Sequence, residues 1–137
     1  MFNSSRPLII GHRGSPGLFP EHTHASYSNA YVENVDFVEL DLQITKDGHL
    51  VISHDAFLKA TTNILDYADL YADKMCNFDL NPEYDLVCDN DYLIRNFTLV
   101  EIKTLRRNQR FAIRNQDLNG LFPMVTLEET IDLMLKL

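Results

Sequence analysis

A chain of 137 residues, 45% apolar and 23% charged, suits one ordinary globular domain. Its net charge of −8, from 12 basic and 20 acidic residues, argues against nonspecific binding to nucleic acid or anionic lipid. No apolar run approaches the roughly 18 to 20 residues of a bilayer span, so no stable membrane insertion is expected. Met1 to Pro7 carries one Arg and no long apolar stretch, which reads as the absence of a secretory leader and a cytoplasmic location. Cys76 and Cys88 form no CxxC pattern and read as two reduced structural thiols, without a disulfide or metal role. The acidic balance leaves room for a small anionic ligand, because a bound cation and a single Arg can set the local field.

In chain order, Pro7 to Ile10 is a short apolar run that ends in Gly11-His12-Arg13-Gly14, a buried strand followed by a loop. From Glu21 to Asn34, Tyr27, Ala30 and Tyr31 repeat at helical spacing, with Asn34 near the stop. In Asp36 to Asp55, Val38, Leu40, Leu42 and Ile44 alternate with Glu39, Asp41 and Gln43, the period of a strand. Asp47-Gly48 marks a tight turn, and His49 to His54 forms the return strand. Residues 56–124 read as a long irregular insertion over the main fold, acidic first and basic later, with Arg106, Arg107, Arg110 and Arg114 on a solvated helix face. A phosphate-anchoring role is the minor reading of that cluster. Thr98 with Glu101, and Thr126 with Glu129, fit two capping boxes. Leu127, Ile131 and Met134 line one face of a last helix, which is expected to run to Leu137.

The strand at 38–44 carries the chemistry. Glu39 and Asp41 project from one side, and burying two like charges costs several kcal/mol unless something neutralises them. Hard oxygen ligands favour Ca2+, Mg2+ or Mn2+ over zinc. The alternative is an exposed antiparallel edge with solvated acids. If Asp47 and Gly48 are the whole loop, Asp41 faces His54 and Glu39 faces Ala56, which places His54 beside the carboxylates. His12 is a residue type that can accept or donate a proton, Arg13 has the planar fork that binds phosphate, and Gly11 and Gly14 would let a ligand approach. Two histidines, a guanidinium and a carboxylate pair can move two protons and hold phosphorane charge. His22, His24 and His49 read as surface residues.

The ordered set GHRG, PEHT, ELD, TKDG and HD, with FTLVEIKTLR at 97–106, resembles the glycerophosphodiester phosphodiesterase family, and the PEHT form is similar to its periplasmic-type subgroup. The resemblance implies an α/β fold, the N-terminal part of a (β/α)8 TIM barrel of about two βα units, with an irregular insertion after the second strand. It implies His12 and His54 as the acid/base pair, Arg13 as substrate ligand, and Glu39 and Asp41 as metal ligands for Ca2+ or Mg2+. The implied reaction is hydrolysis of a small-molecule glycerophosphodiester to sn-glycerol 3-phosphate and an alcohol. The family's third metal-binding glutamate would lie beyond Leu137, so residues 1–137 read as a partial domain, weakly active or inactive alone. A sphingomyelinase D-like lyase and a noncatalytic remnant or binding domain are the rival readings.

Overall fold

The computed structural model describes residues 6–81 and 86–137. It opens with a βαβ unit: β1 (Ile10–His12), α1 (His24–Val32) and β2 (Phe37–Glu39). β1 and β2 are parallel, with Gly11 opposite Val38 and His12 opposite Glu39. Thr23 caps α1 by accepting from Ser26 N–H, and Tyr27 and Ala30 are its fully buried face. Asn34, at φ 58°, ends it. Asn34 N–H donates to Tyr31 C=O at 3.0 Å and Val35 N–H to Ala30 C=O at 3.3 Å, the paired bonds of a Schellman stop.

The single strand expected over 38–44 is two. β2 stops at Glu39 and β3 (Leu42–Ile44) begins after a break, because the two halves have different partners. β2 lies beside β1, whereas β3 pairs antiparallel with β4 (Leu50–Ile52). Val38 and Leu40 pack against Tyr27, Ile52 and Val125, while Leu42 and Ile44 stay 41% and 53% exposed. The turn is also longer than expected. Thr45 N–H bonds His49 C=O at 2.9 Å, leaving a three-residue loop, Lys46-Asp47-Gly48, with Gly48 at φ 87°. Leu42 therefore opposes Ile52, one residue off the expected register.

The apolar run before β1 is not buried either. Leu8, Ile9 and Ile10 are 43%, 52% and 60% exposed, and among the described residues β1 is paired on one edge only. The largest core instead gathers around residues 56–124, where Leu58, Ile64, Tyr71, Tyr92, Ile94, Phe97, Ile102, Leu105 and Met124 pack with Val51 of β4.

This region contains β5 (Met75–Asn81) with β6 (Leu86–Tyr92), α2 (Leu99–Ile102), and β7 (Arg106–Arg107) with β8 (Phe122–Pro123). The arginines at 106–114 lie on no helix. Arg107 is wholly buried, donating to Thr61 Oγ1 at 2.9 Å and to Ile52 C=O. Cys76 is disulfide-bonded, which corrects the expectation of a reduced thiol.

The chain returns beside β4, where Ile52 N–H meets Val125 C=O at 2.9 Å. α3 (Leu127–Met134) follows, and both it and α2 carry the full capping box. α3 stops at Met134 rather than running to Leu137. Its inward side is Thr130, Leu133 and Met134, and Ile131 points out at 48% exposure.

Candidate active site

His12 and Glu39 are the last residues of two parallel strands and oppose each other in register, so both sit at the C-terminal edge of the βαβ sheet. The turn after β1 is held in a left-handed conformation, with Arg13 at φ 58° and Gly14 at φ 89°. A non-glycine residue there costs on the order of 1 kcal/mol and needs support. Arg13 N–H donates to Glu39 Oε2 at 3.0 Å, and Arg13 C=O accepts from His22 N–H at 3.2 Å and Ser26 Oγ at 3.1 Å. The glycines serve this turn. A Cβ on Gly14 would lie 2.5 Å from Ser26 Oγ and 2.8 Å from its backbone carbon, and one on Gly11 would lie 2.9 Å from Gly14 C=O.

The Arg13 guanidinium lies between two carboxylates. Nη1 donates to Glu21 Oε1 at 3.1 Å, and Nε is 3.4 Å from Asp41 Oδ2. Nε is buried without a hydrogen-bond partner, a donor left over in the site. His12 Nε2 is 3.8 Å from Glu39 Oε2, and the ring is mostly exposed.

His22, expected at the surface, is wholly buried at φ 59°. Its Nδ1 is 2.8 Å from Tyr27 Oη and its Nε2 is 3.1 Å from Asp41 Oδ2. A carboxylate only accepts, so Nε2 carries the proton and Nδ1 accepts from the tyrosine. Burial, then the charge of Arg107, push the His22 imidazole down to about 4 and keep it neutral. Burial likewise raises the Tyr27 hydroxyl, which stays protonated. His24 is half-buried with Nε2 unpartnered, and His49 lies at the surface.

His54 is not where the expected register put it. In the observed pairing Asp41 lies opposite Ser53, whose N–H donates to Asp41 C=O at 3.0 Å. His54 Nδ1 instead meets Asp55 Oδ1 at 2.6 Å. A chain of charges leads back from there. Asp55 Oδ2 accepts from Arg110 Nη1 at 2.7 Å, and Glu21 accepts from Arg110 Nη2 at 2.7 Å and Nε at 3.1 Å. Burial alone would raise the Glu21 carboxyl, but Arg110 and then Arg13 outweigh it and hold it low. Burial would raise Asp55 too, and Arg110 and His54 hold it down. The guanidinium of Arg110 is raised, first by its bond to Glu21, whereas burial pulls Arg107 down to about 10.

Thus His12, Arg13, Glu39 and Asp41 share one neighbourhood, and His54 joins it through Asp55 and Arg110. Sequence reasoning missed the roles of Glu21, His22, Asp55, Arg107 and Arg110. The first three sit inside the PEHT and HD motifs, the one signal that could have found them. The two arginines carry no local signal.

The donor set fits a hard divalent cation in part. The side chains of Glu39 and Asp41 are 33% and 30% exposed. Among the described residues, Glu39 Oε1 and Asp41 Oδ1 accept no hydrogen bond. Four carboxylates (Glu21, Glu39, Asp41 and Asp55) meet three guanidiniums (Arg13, Arg107 and Arg110), which leaves negative charge unbalanced. Among the described residues no group of three or more His, Cys, Asp or Glu is arranged to hold a metal, so the pair would supply only some of the ligands. No helix among them is long and apolar enough to cross a membrane.

The chain is 37% identical over 132 residues to a glycerophosphodiester phosphodiesterase of Arabidopsis thaliana, covering 96% of this chain and 34% of that protein. It superposes with a TM-score of 0.64 and 28% identity on an Oleispira antarctica phosphodiesterase solved in complex with the product sn-glycerol-3-phosphate, covering 95% of this chain and 40% of the other. A glycerophosphodiester phosphodiesterase from Agrobacterium tumefaciens shares the fold at a TM-score of 0.65 and 23% identity, over 93% of this chain and 42% of that one. The chain therefore spans about a third of its relative's length, and its fold is the N-terminal portion of a (β/α)8 barrel. With the profile of the glycerophosphoryl diester phosphodiesterase family matching residues 12–136, the chain belongs to that enzyme family.

Proposed function

We propose that this chain supplies the N-terminal part of a divalent-cation-dependent site that hydrolyses a glycerophosphodiester to sn-glycerol 3-phosphate and an alcohol. The observation that carries the reading is the meeting of His12, Arg13, Glu39 and Asp41 at the C-terminal ends of parallel strands, the edge on which barrel enzymes build their sites. Glu39 and Asp41 would hold Ca2+ or Mg2+ through their unpaired oxygens, and the cation when bound would offset charge on the phosphoryl oxygens. Arg13 would bind the phosphate through guanidinium donors that Glu21 does not occupy. Of His12 and His54, one takes the proton of an attacking glycerol hydroxyl and the other protonates the departing oxygen. Water then opens the cyclic phosphate.

Residues 1–137 read as a partial domain in which 56–124 is an insertion, since the chain leaves after β4 and returns beside it at Val125. The 137 residues alone would turn over weakly or not at all. Their disulfide at Cys76 is the chemistry of oxidising compartments and weighs against the expected cytoplasmic location.

Calorimetric titration with Ca2+ and Mg2+ tests the site without needing turnover. Glu39→Gln and Asp41→Asn are each expected to weaken cation binding about tenfold or more, and binding unchanged in both variants would sink the reading. In the whole protein, phosphorus NMR with glycerophosphocholine is expected to end at sn-glycerol 3-phosphate. A cyclic phosphate as the final product would assign a lyase, and cation binding without turnover a binding domain.

A further inference from the structure

Arg110 reaches the site from the other end of the chain, 89 residues from Glu21 and 55 from Asp55. Its three donating nitrogens are divided between two carboxylates: Nη1 to Asp55 Oδ2, and Nη2 and Nε to the two oxygens of Glu21. Each carboxylate then passes the constraint on. The other oxygen of Asp55 meets His54 Nδ1 at 2.6 Å, and Glu21 Oε1 also accepts from Arg13 Nη1 at 3.1 Å.

We propose that Arg110 is a positioning residue for both ends of the site, fixing His54 through Asp55 and Arg13 through Glu21. The inference rests on the reading of His54 as an acid/base group and Arg13 as a phosphate ligand. It gives residues 56–124 a part in the site beyond covering the fold.

The chemistry follows from the hydrogen-bond roles. Asp55, ionised beside a guanidinium, only accepts, so the neutral His54 ring carries its proton on Nδ1 and presents the Nε2 lone pair outward. Without Arg110, Asp55 loses the contact that stops its rotation, and the His54 tautomer is no longer selected. Glu21 likewise orients Arg13 by one nitrogen, Nη1. The side chains of Glu21, Arg13 and Arg110 are 3%, 12% and 18% exposed, so these bonds are little diluted by solvent. A lysine in place of Arg110 has one point of charge and cannot grip two carboxylates in fixed directions.

The test reads the His54 imidazole in the full chain by proton–nitrogen correlation NMR, with His54→Gln assigning the signals. The wild type is expected to hold the Nδ1–H tautomer. Arg110→Gln is expected to shift the tautomer ratio toward Nε2–H by about fivefold, the effect of one lost hydrogen bond. Arg110→Lys should shift it the same way by less. A ratio unchanged in Arg110→Gln overturns the inference. Circular dichroism reports whether that variant folds. If it does not, Arg110→Lys, which keeps the charge but not the two-carboxylate grip, decides by the same ratio, and no shift there overturns the inference. Turnover by His54→Gln in the whole protein separates the two readings. Retained activity sinks the acid/base role of His54, whereas lost activity with an unmoved tautomer in Arg110→Gln sinks only the positioning role.

Discussion

His22 sits at φ 59° with no exposed surface, bonded to Tyr27 and Asp41, and burial depresses its pKa to about 4. An unfolded histidine titrates near 6.5, so between the two values the unfolded chain holds an extra proton. The His22 contribution is therefore complete above pH about 6.5 and is lost as pH falls toward about 4. Glu21 and Asp55, both held below the ordinary carboxylate range, extend the loss to lower pH. Urea unfolding at a series of pH values should follow this fall, and His22→Asn should flatten it between pH 6.5 and 4. An equal slope in that variant would assign the window to other groups. Gly14→Ala places a Cβ against the α1 backbone at φ 89° and is expected to cost about 3 kcal/mol by the same measurement. The nature of these two residues was visible in the sequence. Their burial was not, because no local pattern says that a histidine beside a helix start will lie under the carboxylate of Asp41, in the break between β2 and β3.

Among the elements, the caps and the position of the Gly48 turn, though not its length, were legible. Thr98 with Glu101 and Thr126 with Glu129 form the capping boxes their spacing announces, since that motif is satisfied by residues three apart. Thr126→Ala is expected to lower the melting temperature through a loss of about 1 kcal/mol. Gly48→Ala should cost on the order of 1 kcal/mol as well, because φ is 87° there with nothing close to the missing side chain. A stability unchanged in either variant would remove the corresponding local argument. The register of the hairpin was not legible. Lys46 N–H donates to Phe97 C=O at 2.8 Å, and Asp47 Oδ1 accepts from Leu99 N–H at 2.9 Å across 52 residues. These distant bonds accompany a three-residue loop in place of two, and one residue of slip moves Asp41 from His54 to Ser53.

The molecule as a whole leaves much apolar surface open. Among the described residues, Ile10 of β1 and Ile44 of β3 are 60% and 53% exposed, on strands paired on one edge. The 137 residues are expected to bind a hydrophobic dye and to melt over a broad range. A sharp, dye-free transition would refute this.

The sequence by itself determined the βαβ start, both capping boxes, the glycine-marked turns and the set of chemical groups, since these follow from periodicity and from bonds within a few residues. It also held the ordered motifs by which the family is known. The tertiary structure decided where the strand breaks, which face of α3 turns inward, and that Cys76 is bonded. It also decided that His22, Arg107 and Arg110 belong to the charge network around Arg13. Those outcomes depend on contacts between residues far apart in the chain, which only the packed fold brings within hydrogen-bonding reach.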